Sequence, residues 1–165
     1  MTRIVWTTLA AVGVLAACTP DEPAALPPPA ATPTAIDATA TSSTDVGTLL
    51  NSARATNGLP PLSPNPQLAA AARAHAQDMA RGGFFSHVGS DKSKPSQRVR
   101  AQGYRYCYVA ENIAQGWKTP EQLMQGWMDS PGHRKNNLST KASEYGAARA
   151  EGDYWVLVFG RPGCG

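Results

Sequence analysis

The sequence predicts an α+β domain of layered α-β-α form, and three observations lead there. Segments with helical apolar spacing come first and lie between strand-like runs, and a hairpin comes last. The final run sets Tyr154, Val156 and Val158 against Trp155, Leu157 and Phe159, so it is apolar on both faces and needs cover on both. The stretch 46–165 is long enough for one hydrophobic core, whereas the whole chain of 165 residues is too short for two full-sized domains.

Taken in order, Val46, Leu49, Leu50 and Ala53 have helical spacing, and Asn57-Gly58 stops that helix. Asn65 as N-cap and Pro66 at the first helical position open a second helix. Its stripe is Leu68, Ala72, His75 and Met79, and Gly82-Gly83 end it. The spacing predicts a shorter helix over 95–102, stopped by Gly103, and strand-like content over 104–109. Thr119-Pro120-Glu121-Gln122 is a capping-box start for a helix that buries Leu123, Trp127 and Met128, and Ser130-Pro131 begins another short one. Runs at 145–150 and 154–159 flank Glu151-Gly152-Asp153 as the closing hairpin.

The N-terminus reads differently. Arg3 precedes a 14-residue apolar stretch, Ile4 to Ala17, which has the length of a signal-peptide core and is short of the roughly 20 residues a spanning helix needs. Leu15-Ala16-Ala17-Cys18 resembles a bacterial lipobox, which implies a signal peptide over 1–17 and lipidation of Cys18. A plain signal peptide cut after an Ala-x-Ala-like site is the other reading. Between Thr19 and Asp45, 21 of 27 residues are Ala, Thr, Pro or Ser. A segment so poor in large apolar side chains cannot offset the entropy of ordering, so 18–45 is expected to be a lipidated, disordered tether. An O-glycosylated stalk would have the same composition. Cys107 and Cys164 remain, and an exported compartment favours a disulfide between them over two free thiols.

The composition argues against nucleic-acid binding, because the net charge of +3 is concentrated in no Lys/Arg-rich run. It divides by region, however. The tether carries four acids and no base, whereas 46–165 holds 14 Lys and Arg against 8 Asp and Glu. That excess is expected to favour anionic envelope partners.

Three histidines carry the candidate chemistry. His75 lies on an apolar helical stripe and reads as a core or boundary residue. His87 follows two phenylalanines just past a helix end, where a loop can aim it into a cleft. His133 falls in the first turn of a helix, where the dipole favours a neutral ring. Glu111 sits between apolar neighbours and needs a partner. HExxH, C-x-x-C, P-loop, G-x-G-x-x-G and G-x-S-x-G patterns are all absent, which removes the usual signatures of zinc peptidases, NTPases, dehydrogenases and α/β-hydrolases.

Several separated blocks together resemble a bacterial SCP-like domain of the CAP superfamily (cysteine-rich secretory proteins, antigen 5, pathogenesis-related 1). They are Phe84-Phe85-Ser86-His87, Gly103-Tyr104, Ala110-Glu111-Asn112-Ile113-Ala114, and Trp127 through Arg134 with Asn136 and Leu138. Tyr145-Gly146, Tyr154-Trp155-Val156 and Phe159-Gly160 complete them. The resemblance covers nearly all of 47–162. It implies a three-layer α-β-α sandwich with a cleft lined by two histidines and acidic residues, a site that holds a divalent metal in some members. On this match His87 and His133 are the cleft histidines, Glu111 is the first acid, Asp129 is the nearest candidate for the second, and Asn112 stands beside them. The segment between Trp127 and His133 is shorter than in animal and plant members.

Two functions follow. One is a monomeric, membrane-tethered extracytoplasmic module whose cleft binds a small lipid, a peptide or a cell-envelope component. With Thr19 after the lipidated cysteine, it would face the periplasm from the outer membrane of a two-membrane host and otherwise lie on the cell surface. The other is a metal-assisted hydrolase, with His87 and His133 as zinc ligands and Glu111 as ligand or general base.

Overall fold

The computed structural model describes residues 38–163, with side chains from Asp45 onward. Residues 1–37, including Cys18, lie outside the described residues, and so does Cys164. α1 (Ala38–Thr56) begins inside the stretch assigned to the tether. Residues 38–45 contain no proline, and extending a formed helix is far less costly than nucleating one. Val46 and Leu50 pack from α1 into the core. No helix among the described residues is long and apolar enough to cross a membrane.

α2 (Pro66–Gly82) follows its sequence signals. Asn65 accepts from the amides of Gln67 and Leu68 at 2.9 and 3.1 Å, and Gly83 closes the helix in the left-handed region at φ 61°. α3 (Pro95–Ala101) is short and buries Val99. α4 (Pro120–Asp129) starts with Thr119 accepting from the Gln122 amide and buries Leu123, Met124 and Trp127. α5 (Pro131–Asn137) follows directly after Ser130.

Four strands form one sheet in the order β1-β3-β4-β2, from β1 (Ser63–Pro64), β2 (Tyr106–Gln115), β3 (Glu144–Ala150) and β4 (Tyr154–Pro162). β1 is parallel to β3, and the other pairings are antiparallel. β2 runs well past the predicted strand-like segment, through Glu111 and Asn112 to Gln115. The β4 ladder carries it through this polar pair, with Glu111 opposite Val158 and Asn112 opposite Leu157.

β4 alternates as the sequence predicts. Trp155, Leu157 and Phe159 join Val46, Leu50, Leu123 and Trp127 in a core beneath α1 and α4. Tyr154, Val156 and Val158 join Leu68, Ala72, Met79 and Val99 in a second core beneath α2 and α3. The result is a three-layer α-β-α sandwich. α2 lies so close to β3 that a Cβ at Gly146 would overlap main-chain atoms of Leu68 and Ala69, so only glycine fits there.

Candidate functional site

The site is built around Glu111. On β2 its side chain faces the α2–α3 layer and is 1% exposed. Arg98 of α3 donates through Nη2 to both carboxylate oxygens, at 3.1 and 2.8 Å, and His87 Nδ1 lies 2.8 Å from Oε1. Arg98 also holds the loop that carries His87, through the His87 carbonyl at 3.0 Å and the Ser93 carbonyl at 2.8 Å. His75 approaches from beneath. Its Nε2 lies 2.8 Å from the Ser86 carbonyl and 3.9 Å from Glu111 Oε1, while Nδ1 is buried without a partner. Donation to the Ser86 carbonyl places the proton on Nε2. Burial, the largest effect, lowers the His75 pKa; the Arg98 charge adds to this, and Glu111 and Asp78 oppose it.

A second polar cluster supports His133. Asn112, fully buried, donates to the His133 carbonyl at 3.2 Å and to Asn137 Oδ1 at 2.9 Å, and accepts from Asn136 Nδ2 at 2.8 Å. These bonds fix the first turns of α5 against β2. Burial lowers the pKa of His133, and the neighbouring His87 adds to the shift. The neutral ring expected at a helix start is thus favoured chiefly by desolvation. The His133 ring lies 6.4 Å from that of Trp127.

His87 and His133 open onto one cleft of about 730 Å³. Phe85, Ile113, Trp117 and Trp127 give it apolar walls. Phe85 and Trp117 are two of the three exposed large apolar residues among those described, the third being Val88 next to His87. Trp117 lies against α4 at Gly126, where a Cβ would meet its ring at 2.6 Å.

The remaining sequence candidates are placed elsewhere. Asp129 accepts from Gln125 Nε2 at 2.9 and 3.1 Å and borders a neighbouring depression, apart from the histidine cleft. That depression shares Trp117 and Gly126 with the cleft. The place of Asp129 one helical turn after Gln125 sets the two side by side on the outer face of α4. Asn112 is part of the framework under the cleft and does not line it. Glu111 lies under His87, with both oxygens taken. Arg98, Phe85 and Trp117 were missed as site residues; the pairing of Arg98 with Glu111 joins a helix to a strand and has no local signature.

A zinc centre that activates water takes three protein ligands and an open position. Here the cleft offers two imidazoles, and the one buried carboxylate is held by a guanidinium. Among the described residues no group of three or more His, Cys, Asp or Glu is disposed to hold a metal ion. The donor set does not fit such a centre, and Glu111 is not free to act as the base of a hydrolase.

A three-layer sandwich with histidines from two separate segments facing one cleft is the architecture expected of an SCP-like domain. The chain belongs to the cysteine-rich secretory protein family (CAP), whose family model matches residues 48–159. It is 38% identical over 112 residues to the uncharacterized protein YkwD of Bacillus subtilis, covering 67% of this chain and 44% of that protein. It is 29% identical over 106 residues to the uncharacterized membrane protein YlbC of the same organism, covering 64% of this chain and 31% of that one. The chain thus spans less than half the length of either relative. Among solved structures, it resembles an extracellular SCP-domain protein of Bacillus anthracis at TM-score 0.72 and 27% identity, covering 74% of this chain and 41% of that one. An outer surface protein of Borrelia burgdorferi, at TM-score 0.67, 20% identity and coverages of 72% and 90%, shares the fold.

Proposed function

We propose that this chain is an extracytoplasmic binding module, lipid-anchored through Cys18, whose cleft takes a lipid, a peptide or another small cell-envelope component with an apolar body and a hydrogen-bond donor. One observation carries this reading: the cleft is walled by exposed aromatics, and its buried carboxylate is already saturated by Arg98 and His87. Such a site is equipped to hold and orient a ligand. A carboxylate accepting from His87 Nδ1 leaves Nε2 as the acceptor offered to the cleft. The neighbours named as extracellular and outer surface proteins support an extracytoplasmic location. Disulfide bonding of Cys107, with Tyr106 opposite Pro162, supports a Cys107–Cys164 bridge near the chain end.

The test is titration of the full chain, in neutral detergent, with N-phenyl-1-naphthylamine, an apolar fluorophore carrying one N–H donor. Saturable energy transfer from tryptophan is expected, unaffected by chelator and weakened at least fivefold by either His87→Phe or Phe85→Ser. Binding that fails to saturate, or that survives both changes, overturns the reading. For the anchor, Cys18→Ala is expected to move the protein out of the membrane fraction.

A further inference from the structure

We infer a second binding site, separate from the cleft, for an extended polyanion that carries a row of phosphate groups. It is a groove of about 500 Å³ between α2 and the β3–β4 hairpin, bordered by Arg73, Gln77, Arg81, Arg149 and Glu151. Arg73, Gln77 and Arg81 are spaced four residues apart on α2 and therefore form one stripe along it. The five ion pairs among the described residues leave Arg73 and Arg81 without a carboxylate. Arg149 is held in place by Asp153 and by stacking over Trp155 at 4.7 Å. Among the described residues that border the groove Glu151 is the one acid, and with Arg149 already paired to Asp153 two unpaired guanidiniums face it.

The spacing selects the ligand. Arg73 and Arg81 are two helical turns apart, about 12 Å along the axis, a span that a run of phosphates fills and a single phosphate does not. They suit separate phosphates of one chain, with the Gln77 amide between them as a neutral donor. Guanidinium is the side chain best matched to phosphate oxygens. Among the described residues the exposed large apolar side chains, Phe85, Val88 and Trp117, do not border this groove, and its concavity suits a strand-like polymer. The basic excess of 46–165 would draw such a polymer in.

The probe is a short linear inorganic polyphosphate, titrated by calorimetry against the full chain in neutral detergent at several salt concentrations. Wild type is expected to bind with strong salt dependence. Arg73→Gln/Arg81→Gln is expected to bind roughly tenfold more weakly, with the salt slope reduced by about two. Lys135→Gln/Lys141→Gln, changed outside the groove, should match wild type. Equal weakening in both double variants would mean diffuse charge and would overturn the site. So would inorganic monophosphate competing as well as the polymer, or binding to phosphatidylglycerol vesicles with none to polyphosphate. Circular dichroism of both variants separates loss of binding from loss of fold.

Discussion

Arg98 and Glu111, 13 residues apart in sequence, meet through two hydrogen bonds from a single guanidinium nitrogen, and the same nitrogen donates to the His87 carbonyl. One side chain therefore fixes both the carboxylate that orients His87 and the loop on which His87 stands.

Removing Arg98 strands a buried carboxylate. Arg98→Met is expected to destabilise the domain by about 3–5 kcal/mol, the range seen when one partner of a buried pair is lost. Arg98→Lys keeps the charge but not the fork, and should fall between the two. Urea unfolding at neutral pH measures the series; a wild-type midpoint for Arg98→Met would refute it.

His75 predicts a pH dependence whose sign is fixed. Its folded pKa lies below 6.5, so at mildly acid pH the unfolded chain binds a proton that the folded chain refuses. The neutral ring's contribution is complete above about pH 6.5 and is lost as pH falls toward the folded pKa. His133 shifts in the same direction. Asp78 and Asp153 titrate below 3.8 and act in a lower window. Denaturation from pH 7 to 5 should show falling stability, and His75→Gln should show less of that fall. An equal fall in the variant would assign the effect elsewhere.

Gly146→Ala tests the closeness of α2 and β3. The atoms a methyl would meet are main chain of Leu68 and Ala69, which cannot swing aside. A loss of about 3 kcal/mol or more is expected in thermal unfolding, at or above the usual cost of overpacking.

Asn112 should behave as a framework residue of the cleft. Asn112→Asp removes the amide donor to the His133 carbonyl and to Asn137, and places a charge among acceptors. A loss of about 2–4 kcal/mol is expected from the unmet groups. Imidazole signals in NMR should report a moved His133 with His87 little changed; two unchanged histidines would show that the asparagine cluster does not position the cleft.

The fold was legible where local chemistry decides structure. Asn65-Pro66 and Thr119-Pro120 declare helix starts through caps, and the two-faced apolar run of β4 declares a covered sheet. Sequence reasoning faltered where polar groups find partners across the fold. Glu111-Asn112 breaks the apolar run of β2, so the strand reads short. Its polar atoms are met by Arg98, His87, Asn136 and Asn137, which arrive from other elements. His87 and His133, each beside a helix boundary, line one cleft, whereas the helical turn that pairs Asp129 with Gln125 sets it on the adjoining depression.

The strand that carries both cores is also the last one made. β4 lies between β3 and β2, and each core takes half of its alternating side chains. Without residues 154–162 each helical layer lacks the β4 side chains of its core, and β2 lacks its hydrogen-bonding neighbour. Closing the sheet therefore needs contacts distant in sequence, β2 with β4 above all, and such pairings form slowly. A chain that stops short of Tyr154 therefore loses part of both cores together.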